Sequence, residues 1–120
     1  MILVDTSVWV SHLRESIPRL EEFLNKGEVI CHPFVIGELA SGSIKNRSEI
    51  LSLLSALPKA DILTDEEVLL FIEKNNLMGK GIGLIDIHLL ASAILSESAL
   101  WTLDAKLKQE ARTFGISCEY

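Results

Sequence analysis

Short apolar runs and longer amphipathic stretches alternate along this chain. ILVD (2–5) is apolar and too short for a helix, which predicts a buried strand. Thr6 and Ser7 follow with hydroxyls able to cap free N–H groups, so SVWVSHL opens as an apolar helix. A second helix is expected over about 18–25, with Pro18 near its first position and Gly27 past its end. EVIC (28–31) predicts a second strand, and Pro33 suits the first turn of a helix that carries Glu38 and ends near Gly42–Ser43. RSEILSLLSAL (47–57) has helical apolar spacing and stops at Pro58, and DIL (61–63) predicts a short strand. Thr64 and Glu67 form a capping box ahead of the helical TDEEVLLFIEKNN. MGKGIG (78–83) reads as a flexible glycine loop. LIDIHLLASAIL (84–95) is apolar nearly all round, the pattern of a buried helix. ALWT (99–102) predicts a strand, DAKLKQEARTFG (104–115) an amphipathic helix closed by glycine, and ISCEY (116–120) a last edge strand.

Strands alternating with helices imply a parallel sheet in an α/β sandwich. No repeat, low-complexity segment or polar linker interrupts the pattern, so one domain over 1–120 is expected. Ligands in open sheets of this kind bind beyond the carboxyl ends of the strands. Asp5 and Asp104 both follow predicted strands at that edge.

Composition changes this picture little. Hydrophobic residues make up 48% of the chain, which reflects either a well-filled core or a surface covered by a partner or second copy. No apolar stretch reaches the roughly 18–20 residues of a membrane span. Neither a basic n-region nor a cleavage signal precedes the first strand, and Cys31 and Cys118 lack zinc or redox spacing. They read as free thiols in a reducing cytoplasm. A net charge of −6 argues against broad non-specific nucleic-acid binding but not against a nuclease whose acids hold metal. The basic residues are scattered: Arg14, Arg19, Lys45, Arg47, Lys80, Lys106, Lys108 and Arg112.

The chemistry rests on four acids at the edges of apolar elements: Asp5, Glu38, Asp86 and Asp104. If they converge, they cannot all stay ionised without a cation, and oxygen donors of this kind suit Mg²⁺ or Mn²⁺. Each acid also has a plainer reading. Asp5 and Asp104 could be helix caps, and Glu38 an exposed residue on a helix whose neighbours Ser41 and Gly42 leave room around its carboxylate. Asp86 lies near the positive end of the buried helix. His88, two residues on, points away from it and reads as a hydrogen-bonded structural histidine. Thr102 could orient Asp104, and Lys106 or Arg112 could meet a substrate phosphate.

ILVDTSVWV, GELA, GLIDIHLLASAIL and WTLDAKL, in this order and spacing, resemble the PIN-domain ribonucleases, and more narrowly the VapC toxins of toxin–antitoxin operons. The resemblance runs from residue 2 to the last helix. It implies a PIN-like α/β/α sandwich and a Mg²⁺- or Mn²⁺-dependent endoribonuclease with an RNA substrate. The implied acidic metal site is Asp5, Glu38, Asp86 and Asp104, with Ser7 and Thr102 as supporting hydroxyls. It also implies a homodimer and a VapB-type antitoxin partner.

Rival readings fit the residues less well. A haloacid-dehalogenase phosphatase needs a second Asp where Ser7 stands, a response receiver needs an early acidic pair, and MGKGIG lacks the P-loop pattern. An RNA-processing nuclease without an antitoxin remains an alternative, as does a non-catalytic interaction module whose acids are only caps.

Overall fold

The computed structural model describes residues 1–119. Three strands, β1 (Ile2–Val4), β2 (Val29–Ile30) and β3 (Ala99–Trp101), form a parallel sheet in the order β2-β1-β3. Ile2 and Leu3 pair with Val29 and Ile30 on one side, and Ile2, Leu3 and Val4 with Ala99, Leu100 and Trp101 on the other. The central strand is buried on both faces, which is why its sequence is apolar without alternation.

Among the described residues seven helices surround the sheet: α1 (Thr6–Arg14), α2 (Pro18–Asn25), α3 (Pro33–Ser41), α4 (Arg47–Ala56), α5 (Asp65–Asn75), α6 (Leu84–Leu95) and α7 (Ala105–Thr113). Pro18 and Pro33 each sit in the first turn of their helices, where a missing N–H costs nothing. The Thr64 capping box is present in both directions, with Glu67 N donating to Thr64 Oγ1 and Thr64 N to Glu67 Oε1. Helix α6 buries Ile87, Leu89, Leu90, Ala91 and Ala93, and the core joins it to the sheet, α1, α2, α3 and α7. No helix among the described residues is long and apolar enough to cross a membrane.

Two expected strands are reduced to single bridges. At 61–63 there is no strand; the bridge is two residues earlier, Cys31 with Lys59. The Asp61 N–H goes instead to Ser96 Oγ, so a side chain takes the place of a ladder. In the last segment only Ser117 pairs, with Leu100, and Tyr120 lies outside the described residues. Helix α1 is capped by Asp5, whose carboxylate accepts the Thr6 N–H; the Thr6 and Ser7 hydroxyls are used elsewhere. Cys31 and Cys118 are both buried, and burial pushes the Cys31 thiol up to about 11, so it stays protonated.

A carboxylate cluster at the carboxyl edge of the sheet

The chain leaves β1 at Val4 and turns at once into α1, placing Asp5 at the junction with only 5% of its surface exposed. Its Oδ1 accepts the Thr6 N–H at 2.8 Å. Its Oδ2 accepts the hydroxyls of Ser7 and Thr102, each at 2.7 Å. Those two hydroxyls in turn accept backbone N–H groups, Ser7 from Leu103 and Thr102 from Asp104. Both hydroxyl protons therefore point at Asp5, and the 3.5 Å approach of Ser7 to Thr102 has no proton left to make it a bond. The Asp5 carboxylate is thus held by three donors drawn from β1–α1 and from the end of β3.

Asp104 is the cap of α7, with Oδ2 accepting the Leu107 N–H at 2.8 Å, and it is exposed. Thr102 links its backbone to Asp5. Glu38 reaches across from α3, where its Oε1 accepts the Thr6 hydroxyl at 2.7 Å. Thr6 was not singled out by sequence spacing, because the partner lies 32 residues away on another helix. Asp86 stands in the first turn of α6, half-buried. Burial pushes its carboxyl up to about 6, and Asp5, Asp104 and Glu38 push it the same way. Asp86 therefore feels the charges of the other three acids, and Asp5, Asp86 and Asp104 lie at or near helix N-termini, where a negative charge is favoured.

As the side chains stand, no three ligating groups among the described residues surround a common metal position. Glu38 is turned onto Thr6 and Asp104 onto Leu107. The donor chemistry nonetheless fits a hard divalent ion: every group is an oxygen donor, and the repulsion felt by Asp86 is what a cation would relieve.

His88 is buried on α6, with its ring edge-on to Phe34 at 4.8 Å and near His32 at 6.3 Å. Its Nδ1 has no hydrogen-bond partner among the described residues, so this imidazole packs rather than bonds at that atom. His32 caps α3 through Nδ1, and burial followed by the nearby His88 lowers it to about 4, so it is neutral near pH 7. Of the two cations offered to phosphate, Arg112 is instead paired with Glu119. Lys106 lies across Gly81, whose positive φ of 74° brings the glycine loop so close that an added Cβ would stand 2.6 Å from Nζ.

Thr102→Val keeps the shape of the side chain and removes the oxygen that serves Asp5 and Asp104 at once. It leaves the Asp104 N–H without its acceptor, and chemical denaturation should show a loss of about 1–3 kcal/mol. An unchanged midpoint would mean that water replaces the hydroxyl without cost.

The PIN domain family model matches residues 2–112. Ribonuclease VapC32 of Mycobacterium tuberculosis, from strain CDC 1551 / Oshkosh and from strain ATCC 25618 / H37Rv, is 46% identical over 118 residues, covering 98% of this chain and 95% of the relative. With nearly the whole chain matched at that identity, the protein belongs to the PIN-domain family, in its VapC branch.

Proposed function

We propose that this chain, as a single PIN domain over residues 1–120, is a metal-dependent endoribonuclease and the toxin of a VapBC-type pair. The observation that carries the reading is the gathering of the acids at the carboxyl edge of the sheet, where Thr102 links Asp5 to Asp104, Thr6 carries Glu38 beside Asp5, and Asp86 feels the charge of the other three. The kinship with a protein named as a ribonuclease supplies the substrate class, RNA. Asp5, Glu38, Asp86 and Asp104 would hold Mg²⁺ or Mn²⁺. When bound, such an ion supplies an acidified water and offsets charge on the phosphodiester oxygens.

The chain's own residues do the positioning. Ser7 and Thr102 fix the Asp5 carboxylate in one rotamer, so one edge of the site is ordered before substrate arrives. Glu38 is exposed and, among the described residues, held only by the Thr6 hydroxyl, which leaves it room to swing toward the other acids. Asp104 keeps its Oδ2 on the α7 N-terminus and has its second oxygen for orienting water. No buried histidine or lysine is needed as a base.

The proposal includes a homodimer, a VapB-type antitoxin and a cytoplasmic location. Leu69, Leu70, Met78 and Leu84 are each more than half exposed, at 52–69%, and support a surface covered by another chain.

Purified protein free of any partner, incubated with total cellular RNA, tests the reading. Discrete fragments are expected with Mg²⁺ or Mn²⁺ and none with EDTA. Cleavage that persists in EDTA would sink the metal scheme. No cleavage with either metal, together with no thermal shift on adding it, would leave an interaction module.

A further inference from the structure

A cavity of about 670 Å³ opens beside the carboxylate cluster and runs away from it between α1, α3 and the start of α4. That volume lies within the ~300–1,000 Å³ range of sites that take small organic groups. Thr6 and Glu38 form the end shared with the acids. The floor is apolar, with Val10, Leu13, Ile44 and Ile50, and the far rim carries Arg14, Lys45 and Asn46. Arg14 and Lys45 are exposed, and neither makes an ion pair among the described residues. In a chain with a net charge of −6, two unpaired cations next to a cluster of four acids form a local exception.

Asn46 is the sharper feature. It occupies the cap position of α4, where asparagine normally accepts a helix N–H. Here its backbone is left-handed (φ 54°, ψ 39°) and its side chain makes no cap hydrogen bond. The adjoining Arg47 donates to the Ala40 carbonyl at 2.6 Å and so ties the start of α4 to the end of α3. That bond holds the start of α4, while the Asn46 amide makes no cap hydrogen bond among the described residues. An amide has a donor and an acceptor side by side, which is what the edge of a nucleobase requires.

Resting on the ribonuclease reading, we propose that this cavity is the subsite for a nucleotide flanking the scissile phosphate. The base lies on the Val10–Leu13–Ile50 floor, Asn46 reads its edge, and Arg14 and Lys45 bind the adjoining phosphates. Asn46 is then a specificity-determining residue, and substrate enters from the α1–α4 side. Charge complementarity and continuity with the carboxylate cluster favour RNA as the occupant.

The test is cleavage of a randomised RNA oligonucleotide pool with Mn²⁺, followed by sequencing of the new ends. Wild-type cleavage is the control for the ribonuclease reading itself; its absence would defeat that reading independently of this one. Asn46→Gly keeps the left-handed backbone and removes the amide. It should lower the base preference at one position beside the cut by about fivefold or more. Asn46→Asp, similar in shape but without the donor, should change which base is preferred there. Arg14→Gln with Lys45→Gln should slow cleavage of all sequences alike and flatten the salt dependence of RNA binding by about 0.7 in log–log slope per side chain. Unchanged preference in Asn46→Gly, or an unchanged salt slope in the double variant, overturns the proposal. Weaker inhibition by a VapB-type antitoxin with unchanged RNA preference would assign the cavity to the protein partner and overturn it as well. Thermal melting of each variant separates these outcomes from loss of fold.

Discussion

Asp5→Asn is expected to slow RNA cleavage by about a thousandfold or more, the scale of loss when a preorganised charged group leaves a reacting centre. The substitution is nearly isosteric, yet it conflicts with the donors around Asp5. Oδ2 faces two hydroxyl protons and Oδ1 faces the Thr6 N–H. An amide offers one oxygen. If that oxygen keeps the hydroxyls, the NH₂ meets the Thr6 N–H and the α1 cap is lost, at about 1 kcal/mol. Removing the Asp5 charge also relieves part of the repulsion on Asp86. The two effects oppose each other, so the melting temperature should change little while activity collapses. Single-turnover cleavage measured beside a thermal melt checks both halves. Activity within tenfold of wild type, unaffected by EDTA, would remove Asp5 and the metal from the mechanism together.

The parts of this site that were legible in the sequence were those encoded locally. Asp5 and Asp104 each mark the passage from a short apolar strand to a helix start, and such junctions fall at the carboxyl edge of a parallel sheet, while Asp86 is marked by its place in the first turn of an apolar helix. The Thr64 box needed only a four-residue window. What depended on distant partners was not legible. The segment 61–63 has strand-like residues, but its Asp61 N–H is claimed by Ser96, 35 residues later. Thr6 looks like a cap, whereas a tertiary contact sends its hydroxyl to Glu38, 32 residues away. Arg112 looked available for phosphate until the last segment brought Glu119 beside it. Asn46 before a helix would be taken for a capping side chain by propensity alone; it holds the cap position with a left-handed backbone and makes no side-chain cap bond.

Asp86→Asn carries the other large expected effect, and its sign is opposite to that of most buried-site mutations. The Asp86 carboxyl moves from an ordinary 3.8 up to about 6 in the folded chain, through burial first and then the charges of Asp5, Asp104 and Glu38. Between those two values the native state holds a proton that the unfolded state has lost. Stability from this group is therefore present at low pH and declines as pH rises through about 6. At pH 7 the metal-free protein bears the full cost. With allowance for solvent around a half-buried group, that cost is about 1–2 kcal/mol. The asparagine variant, without metal, should melt about 5 °C higher than the native chain at pH 7. Near pH 4 the two should nearly coincide. Glu119, held down to about 2 by Arg112, works in the opposite direction, since its contribution is lost as pH falls below the carboxylate range. It is the same in both proteins, so the difference between their melting curves isolates Asp86. Adding Mn²⁺ should reverse the ranking, because an ion that binds only the native chain stabilises it and leaves the variant unmoved. A variant less stable than the native chain at pH 7 would mean that the Asp86 carboxylate is a structural acceptor, and the shared-charge account of the site would fall with it.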